Sequence, residues 1–140
     1  MTSRLKDAVA PGGTVVLDSE GLAGAIRQDA AVTEWFEAAR GEDWRVVTSA
    51  ATLVEVMHPG LKQAAFRWAM SRIVVVPVTQ QIAKSAAELL ASAGMHGHGH
   101  AIDAMLSATA LASDQPAFVL TSDPGDIGAL CGPRVTVVPV

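Results

Sequence analysis

The sequence has little cysteine, little positive charge and no long apolar run. Its one cysteine, Cys131, excludes an internal disulfide and a zinc site built from cysteines. Lys and Arg number 10 against 14 Asp and Glu, a net charge of −4, which argues against a protein that grips nucleic acid through a broad basic face. An enzyme that contacts a few phosphates through metal ions is compatible with this charge.

The apolar residues are spread over short segments. The longest run, residues 73–78, falls far below the roughly 20 residues that cross a bilayer. The first residues, "MTSRLKDAVAPGG", contain no apolar core of the kind found in a signal peptide. We therefore expect a cytoplasmic protein with no membrane association.

A chain of 140 residues, half of them apolar, has the usual size of one folded domain. We expect residues 1–13 to be a loose lead-in and residues 14–140 to form that domain. Short apolar runs predict five strands, at residues 14–17, 45–48, 73–78, 117–121 and 135–140. Several are continuous β-branched runs, as expected for a sheet that helices cover on both faces.

Between the predicted strands, apolar residues recur at helical spacing. The segments with this spacing are residues 32–39, 82–93 and 102–109, and Thr79 is a suitable N-cap for the second. Strands that alternate with helices predict a mostly parallel sheet with right-handed crossovers. The sequence therefore predicts a three-layer α/β/α domain.

Acidic residues fall at the ends of two predicted strands. Asp18 follows the first strand, and Asp123 follows the fourth in "FVLTSDPGDIGAL". Asp-Pro-Gly is ordinary turn chemistry and Asp readily caps a helix, so either acid alone is weak evidence of a site. In open parallel sheets, however, ligands bind outside the carboxyl ends of strands where the strand order reverses. The two acids fit such a crevice if the first and fourth strands are neighbours.

Two further acids lie in apolar segments with helical character. Glu55 in "TSAATLVEVM" is expected to share a helical face with Thr52 and Thr48, and Asp103 in "HAIDAMLSATAL" to share one with His100. Because these segments are apolar at nearly every other position, we expect neither acid to lie on a solvated face. A buried unpaired carboxylate is very costly, and no Lys or Arg lies within four residues of either acid. A distant arginine or a bound cation is therefore expected to compensate them.

The order and spacing of these segments resemble the PIN-domain nucleases, and among them the VapC-type toxins. The resemblance covers nearly the whole chain from Thr14 onward. It consists of the strand that ends in Asp18, the Thr-led helix with Glu55, "DAMLSATAL" with Asp103, and "LTSD" with Asp123. It implies a PIN-like sheet of order 3-2-1-4-5, which places the first and fourth strands side by side.

The same resemblance implies a Mg²⁺- or Mn²⁺-dependent endoribonuclease. The implied catalytic and metal-binding residues are Asp18, Glu55, Asp103 and Asp123. Asp126 is a fifth candidate ligand, and Thr121, Ser19 and His100 are candidate supporting residues. Carboxylates about 4 Å apart repel each other by about 1 to 4 kcal/mol per pair, and a hard divalent ion removes that repulsion. Such an ion also activates water for attack on a phosphodiester.

The resemblance also implies partners, namely an RNA substrate, a cognate antitoxin if the protein is a toxin, and a second copy in a homodimer. The helix at residues 32–39, with Trp35 and Phe36, is a candidate wall of an antitoxin groove, although core packing is the stronger explanation for both aromatics. Glu20 stands where the family more often has a small polar residue, and we expect it to face solvent.

The "HGHGH" segment (His96, His98 and His100) is an alternative metal site for zinc or nickel. Its alternating glycines, however, predict a floppy loop in which three histidines have no fixed geometry.

Three other functions fit parts of the sequence. A haloacid-dehalogenase-type phosphatase also uses acids after two strands, but it requires Asp where Glu20 stands. A phosphoacceptor receiver domain requires Asp at the end of its third strand, where residues 76–78 read Val-Pro-Val. A non-catalytic PIN-like module that binds RNA or protein is the remaining alternative, and the four-acid set argues against it because a phosphate binder has no use for clustered negative charge.

Overall fold

Five parallel strands form one sheet in the computed structural model, which describes residues 12–140. The strands are β1 (Thr14–Leu17), β2 (Arg45–Ser49), β3 (Val74–Val76), β4 (Ala117–Thr121) and β5 (Thr136–Pro139). Their order across the sheet is β3-β2-β1-β4-β5, and all four neighbouring pairs are parallel. The predicted α/β class and strand order are confirmed. Of the expected lead-in, residues 1–11 lie outside the described residues.

Helices connect the strands and cover the sheet. They are α1 (Ser19–Arg27), α2 (Ala30–Gly41), α3 (Thr52–Val56), α4 (Gln63–Met70), α5 (Gln80–Ala93), α6 (Gly97–Ala112) and α7 (Pro124–Cys131), followed by a 3-10 turn at Gly132–Arg134. The predicted cap of α5 is confirmed, because Oγ1 of Thr79 accepts a hydrogen bond of 3.1 Å from the backbone N–H of Ile82. Within residues 12–140, none of the helices has the length and apolar character needed to cross a membrane.

Successive residues of β1 face two different hydrophobic cores. Val15 and Leu17 pack with residues of α1, α2 and α4, whereas Val16 packs with residues of α6 and α7 on the other side. Side chains of a strand alternate between the two faces of a sheet, so a strand buried on both faces must be apolar throughout. This two-sided burial gives the three-layer arrangement, with α5 packed on the outer side of α6 and α7.

Trp35 belongs to the first of these cores. Its side chain is fully buried, and its ring centroid lies 5.1 Å from that of Phe118 on β4. Trp44, just before β2, packs on the same phenylalanine at 5.7 Å. The suggestion that Trp35 lines an exposed groove is therefore wrong, because the apolar stripe of α2 turns this side chain toward the sheet. Phe36 is only partly buried and does reach the surface.

Candidate active site

The carboxylate of Asp18 connects the ends of β1 and β4. Asp18 is buried at the N-terminus of α1, where its Oδ1 accepts a hydrogen bond of 2.8 Å from the backbone N–H of Gly21. Its Oδ2 accepts one of 3.2 Å from the backbone N–H of Ser122, just after β4. Each oxygen keeps a further lone pair. The side chain is therefore held in one orientation by two separate segments while retaining the capacity to bind a ligand.

Gly21 allows α1 to approach β4 closely enough for this arrangement. A Cβ atom at this position would lie 2.9 Å from the carbonyl oxygen of Leu120, which is closer than real Cβ atoms come to backbone atoms. A residue with a side chain would push the first turn of α1 away from the end of β4. The glycine therefore fixes the spacing of the segments that hold Asp18. Ser19, the first residue of α1, is partly buried beside it.

Asp123 stands at the N-cap position of α7 but does not cap the helix with its side chain. Pro124 occupies the first turn of α7, where a missing N–H is tolerated. The backbone N–H of Asp123 donates a hydrogen bond of 2.8 Å to Oγ1 of the buried Thr121. Thr121 therefore positions Asp123 through its backbone, and helix capping does not account for the carboxylate.

Asp103, on α6, is half-buried and lies in the field of the other candidate acids. Burial and, to a lesser extent each, the negative charges of Asp123, Asp18, Glu55 and Asp126 together raise the pKa of its carboxyl from 3.8 to about 6. Desolvation and neighbouring negative charge both make the ionised form of this carboxyl less favourable. The fold thus brings the four acids predicted from the sequence, and Asp126, to one end of the sheet.

Glu55 differs from its expected environment. It is exposed on α3, and its neighbours Val54 and Met57 are also exposed, to 77% and 53%. A five-residue helix is too short to bury a whole face, so the prediction that Glu55 has no solvated face is wrong. The shared helical face with Thr48 is also wrong, since Thr48 lies in β2 and donates a hydrogen bond of 2.7 Å to the carbonyl of Leu17.

Glu20 lines the same groove as Glu55 but is not among the acids that raise the pKa of Asp103. Its side chain is 44% exposed and pairs with Arg27 at 2.8 Å, and Arg27 also binds Asp29 at 2.8 Å. The prediction that Glu20 faces solvent is confirmed. Within residues 12–140, no Lys or Arg forms an ion pair with any of the five clustered acids. Arginine therefore does not compensate them in this part of the chain.

The "HGHGH" segment is ordered rather than a loop. His96 is the N-cap residue of α6, and Gly97 begins the helix, so the prediction of a floppy loop is wrong. His96 and His98 are exposed, whereas His100 is partly buried beside the acids. In the described residues the histidines do not group with one another, and the zinc or nickel site of three histidines is not formed.

His100 instead groups with two of the acids. One potential ligand atom from each of His100, Asp103 and Asp126 lies within 4.8 Å of the others. Nδ1 of His100 is 3.4 Å from Oδ2 of Asp126. The sequence contained part of this signal, because His100 and Asp103 are three residues apart on one helix, but their distance to Asp126 depends on how α6 and α7 pack.

The model of the PIN domain matches residues 15–125 of the chain, which cover four of the clustered acids and end just before Asp126. The chain belongs to the PIN domain family. PIN domains are generally nucleases that use divalent metals.

Among curated proteins, none matches the sequence. Among solved structures, this PIN domain is similar to VapBC2 from Rickettsia felis, crystallised with a DNA fragment from the promoter of its genes, with a TM-score of 0.66. The two chains are 14% identical, and the match covers 91% of this chain and 98% of the other, which shows a shared fold.

The donor set of this PIN domain suits a divalent cation. Carboxylate oxygens are the ligands that Mg²⁺ and Mn²⁺ prefer, and one imidazole adds a nitrogen donor. Four carboxylates act on Asp103 without a compensating Lys or Arg ion pair in the described residues, and burial together with their negative charge raises the pKa of Asp103. The residues present therefore fit the kind of metal that the family uses.

One contributor to the site had no signal in the sequence. Ser122 holds Asp18 through its backbone N–H, a group that every residue except proline supplies. Only the position of Ser122 after β4 gives it this role, and that position follows from the pairing of β1 with β4.

Proposed function

We propose that this PIN domain is a Mg²⁺- or Mn²⁺-dependent endoribonuclease. The residues that would hold the metal are Asp18, Glu55, Asp103, Asp123 and Asp126. The observation that supports this most strongly is the pKa of Asp103, which burial and the charges of four other carboxylates raise to about 6. When bound, a divalent ion polarises the phosphodiester and promotes attack by water.

The candidate metal ligands differ in how firmly the protein holds them. Asp18 is held by two backbone N–H groups and gives the site a fixed reference point. Asp123 and Glu55 are exposed and able to adjust to a substrate. Without a cation, the Asp103 carboxyl is half ionised at about pH 6, so a cation meets a predominantly charged ligand only at higher pH.

The substrate strand is proposed to enter through a groove beside the acids. This groove, of about 440 Å³, is lined by residues that include Ser19, Glu55, Arg27 and His58. Because Arg27 is already paired with two acids, the groove offers little free positive charge. We therefore expect weak RNA binding outside the metal centre, with a shallow dependence on salt.

The test is cleavage of a panel of structured and single-stranded RNAs, with matched DNA strands as controls. Cleavage should require Mg²⁺ or Mn²⁺, stop in excess EDTA and return when the ion is restored. A matched pair of variants locates the activity: Asp103→Asn should be inactive, while Glu88→Gln, at an exposed position on α5, should be unaffected. Cleavage that persists in EDTA contradicts the metal role. RNA binding without cleavage under all conditions supports the non-catalytic alternative.

We also propose that the protein is the toxin of a toxin–antitoxin pair. The fold similarity to VapBC2 supports this, as does a groove of about 780 Å³ between α2, α4 and the edge strand β3. Phe36, Trp68 and Val74 give the groove apolar surface, and its three arginines outnumber its two acids, Glu37 and Asp43. An amphipathic acidic segment of an antitoxin fits such a surface. Phe36→Asp should abolish capture of the protein encoded by the adjacent gene while the melting temperature stays close to that of the wild type.

A homodimer is the proposed assembly in the cytoplasm, where RNA is available. The exposed Val54 and Met57 on α3 provide apolar surface next to Glu55 that a second copy would cover. Sedimentation equilibrium should therefore give the mass of two chains, and Val54→Lys should shift it toward one.

A further inference from the structure

We infer that His100 is a direct ligand of the metal centre and that its imidazole makes the centre selective for Mn²⁺ over Mg²⁺. The inference rests on the proposed metal-dependent nuclease and specifies which ion that nuclease takes. It follows from the position of His100, from the state of its Nδ1 atom and from the chemistry of nitrogen ligands.

The fold places His100 where it can share an ion with two acids. His100 and Asp103 lie one turn apart on α6, and Asp126 comes from α7. The three potential ligand atoms lie within 4.8 Å of one another. Ligand atoms bound to a common ion at about 2.1 Å are separated by up to about 4.2 Å when they lie on opposite sides. A small closure of side chains is therefore enough to bring all three into contact with one ion.

The Nδ1 atom of His100 has no hydrogen-bond partner within the described residues. It has almost no contact with solvent, and it makes no hydrogen bond although Oδ2 of Asp126 lies 3.4 Å away. Buried polar atoms nearly always have a hydrogen-bond partner, so a nitrogen that lies 3.4 Å from a carboxylate oxygen without a hydrogen bond needs an explanation. A bound ion supplies the missing partner and, in the same step, neutralises Asp103 and Asp126.

The position is also open enough for an ion to enter. The side chains of His100 and Asp126 are 32% and 35% exposed, so both are in contact with solvent. A neutral imidazole with its proton on Nε2 leaves the Nδ1 lone pair free for a metal.

Nitrogen in the ligand set changes which ion is preferred. Mg²⁺ strongly prefers oxygen ligands and keeps its waters, whereas Mn²⁺ and the later transition ions accept imidazole more readily. Carboxylates alone discriminate poorly between Mg²⁺ and Mn²⁺. His100 is therefore the one residue of the group that separates these two ions.

The experiment measures ion binding rather than cleavage. Calorimetric titrations with Mn²⁺ and with Mg²⁺ are made on the wild type, on His100→Ala and on the matched control His98→Ala, which removes an exposed histidine from the same turn. His100→Ala should weaken Mn²⁺ binding by about tenfold or more and change Mg²⁺ binding little, whereas His98→Ala should change neither. Pulsed electron paramagnetic resonance of bound Mn²⁺ should detect a ring nitrogen in the wild type and in His98→Ala but not in His100→Ala.

The outcomes separate this inference from the proposed function. A wild type that binds Mn²⁺ without a nitrogen signal, or a His100→Ala variant that keeps the full preference for Mn²⁺, overturns the role of His100 while leaving a metal-dependent nuclease in place. A wild type that binds neither ion overturns both. Circular dichroism melts of each variant establish that a lost signal does not come from unfolding.

Discussion

Replacing Asp103 by Asn should stabilise the metal-free protein while removing its activity. Asn keeps the shape of the side chain and removes one negative charge from the cluster. Burial and the charges of four neighbouring acids both disfavour the ionised form of Asp103. Asparagine carries no charge and is free of both effects. A substitution at a purely structural residue does not usually raise stability, so the sign of the effect is diagnostic.

The size of the effect follows from the pKa of Asp103. The change from 3.8 to about 6 corresponds to about 3 kcal/mol at full weight. Asp103 is only partly buried and solvent screens its interactions, so we expect a gain of about 1 to 2 kcal/mol at pH 8. For a protein of this size the gain corresponds to an increase of roughly 3 to 6 °C in melting temperature.

Thermal melts in EDTA and in MnCl₂ test this prediction. At an ion concentration of 100 times Kd, binding stabilises the wild type by about 2.7 kcal/mol, and the variant should gain much less because it has lost a ligand. The variant should therefore be the more stable protein in EDTA and the less responsive one in MnCl₂, with RNA cleavage reduced by about 100-fold or more. Glu88→Gln, with the same change of charge at an exposed position, should change none of these quantities. An Asp103→Asn variant that is less stable in EDTA and fully active would refute the placement of Asp103 in a repelling metal site.

The remaining predictions concern pH, the core and the close approach of α1 to the sheet. Between about pH 4 and pH 6 the native Asp103 holds a proton that the unfolded chain has released, so the stability of the metal-free protein should fall as the pH rises across this range and level off above it, and urea titrations of the Asp103→Asn variant should lack this fall. Trp35→Ala should cost about 3 to 5 kcal/mol of unfolding free energy, because the fully buried ring leaves a cavity beside Phe118; a loss below 1 kcal/mol would contradict its core position. Gly21→Ala should cost about 1 to 3 kcal/mol of unfolding free energy and lower metal affinity, since the new Cβ atom meets the carbonyl oxygen of Leu120. Unchanged metal binding by calorimetry would show that the close approach of α1 to β4 does not determine the geometry of the site.

The sequence predicted the central part of the sheet well because burial leaves few alternatives. The runs at residues 14–17 and 117–121 match β1 and β4 at both ends, since each is apolar on both faces and is followed at once by polar residues. The run at residues 73–78 was too long, and β3 stops at Val76. Pro77 follows, and proline has no N–H to donate to a neighbouring strand.

The short helices were harder to predict. α1 and α4 have nine and eight residues, so the helical spacing of apolar residues repeats too few times in them to identify a helix from the sequence. The first turn of α6 was misread because glycine disfavours helix, whereas the packing of this long helix against α5 and α7 outweighs that local preference.

The candidate site was predictable only in part. The rule that ligands bind at strand ends identified Asp18 and Asp123, and the family resemblance added Glu55 and Asp103. Which acids act on Asp103, and the grouping of His100 with Asp126, depend on the packing of α6 against α7. No local pattern contains that information.

The two glycines in the first turn of α6 have a consequence for motion. Glycine costs about 1 kcal/mol relative to alanine within a helix, so the turn from Gly97 to His100 is the weakest part of α6 and should fray more often than the turns that follow it. His100 sits at the boundary between this weak turn and the buried remainder of the helix. An ion held by His100 and Asp126 would tie the frayed end to α7, so that the His100 amide hydrogen, which is bonded to the carbonyl of His96, exchanges with solvent rapidly in the free protein and slowly in the loaded one. The start of α6 would then act as a local reporter of whether the centre is filled.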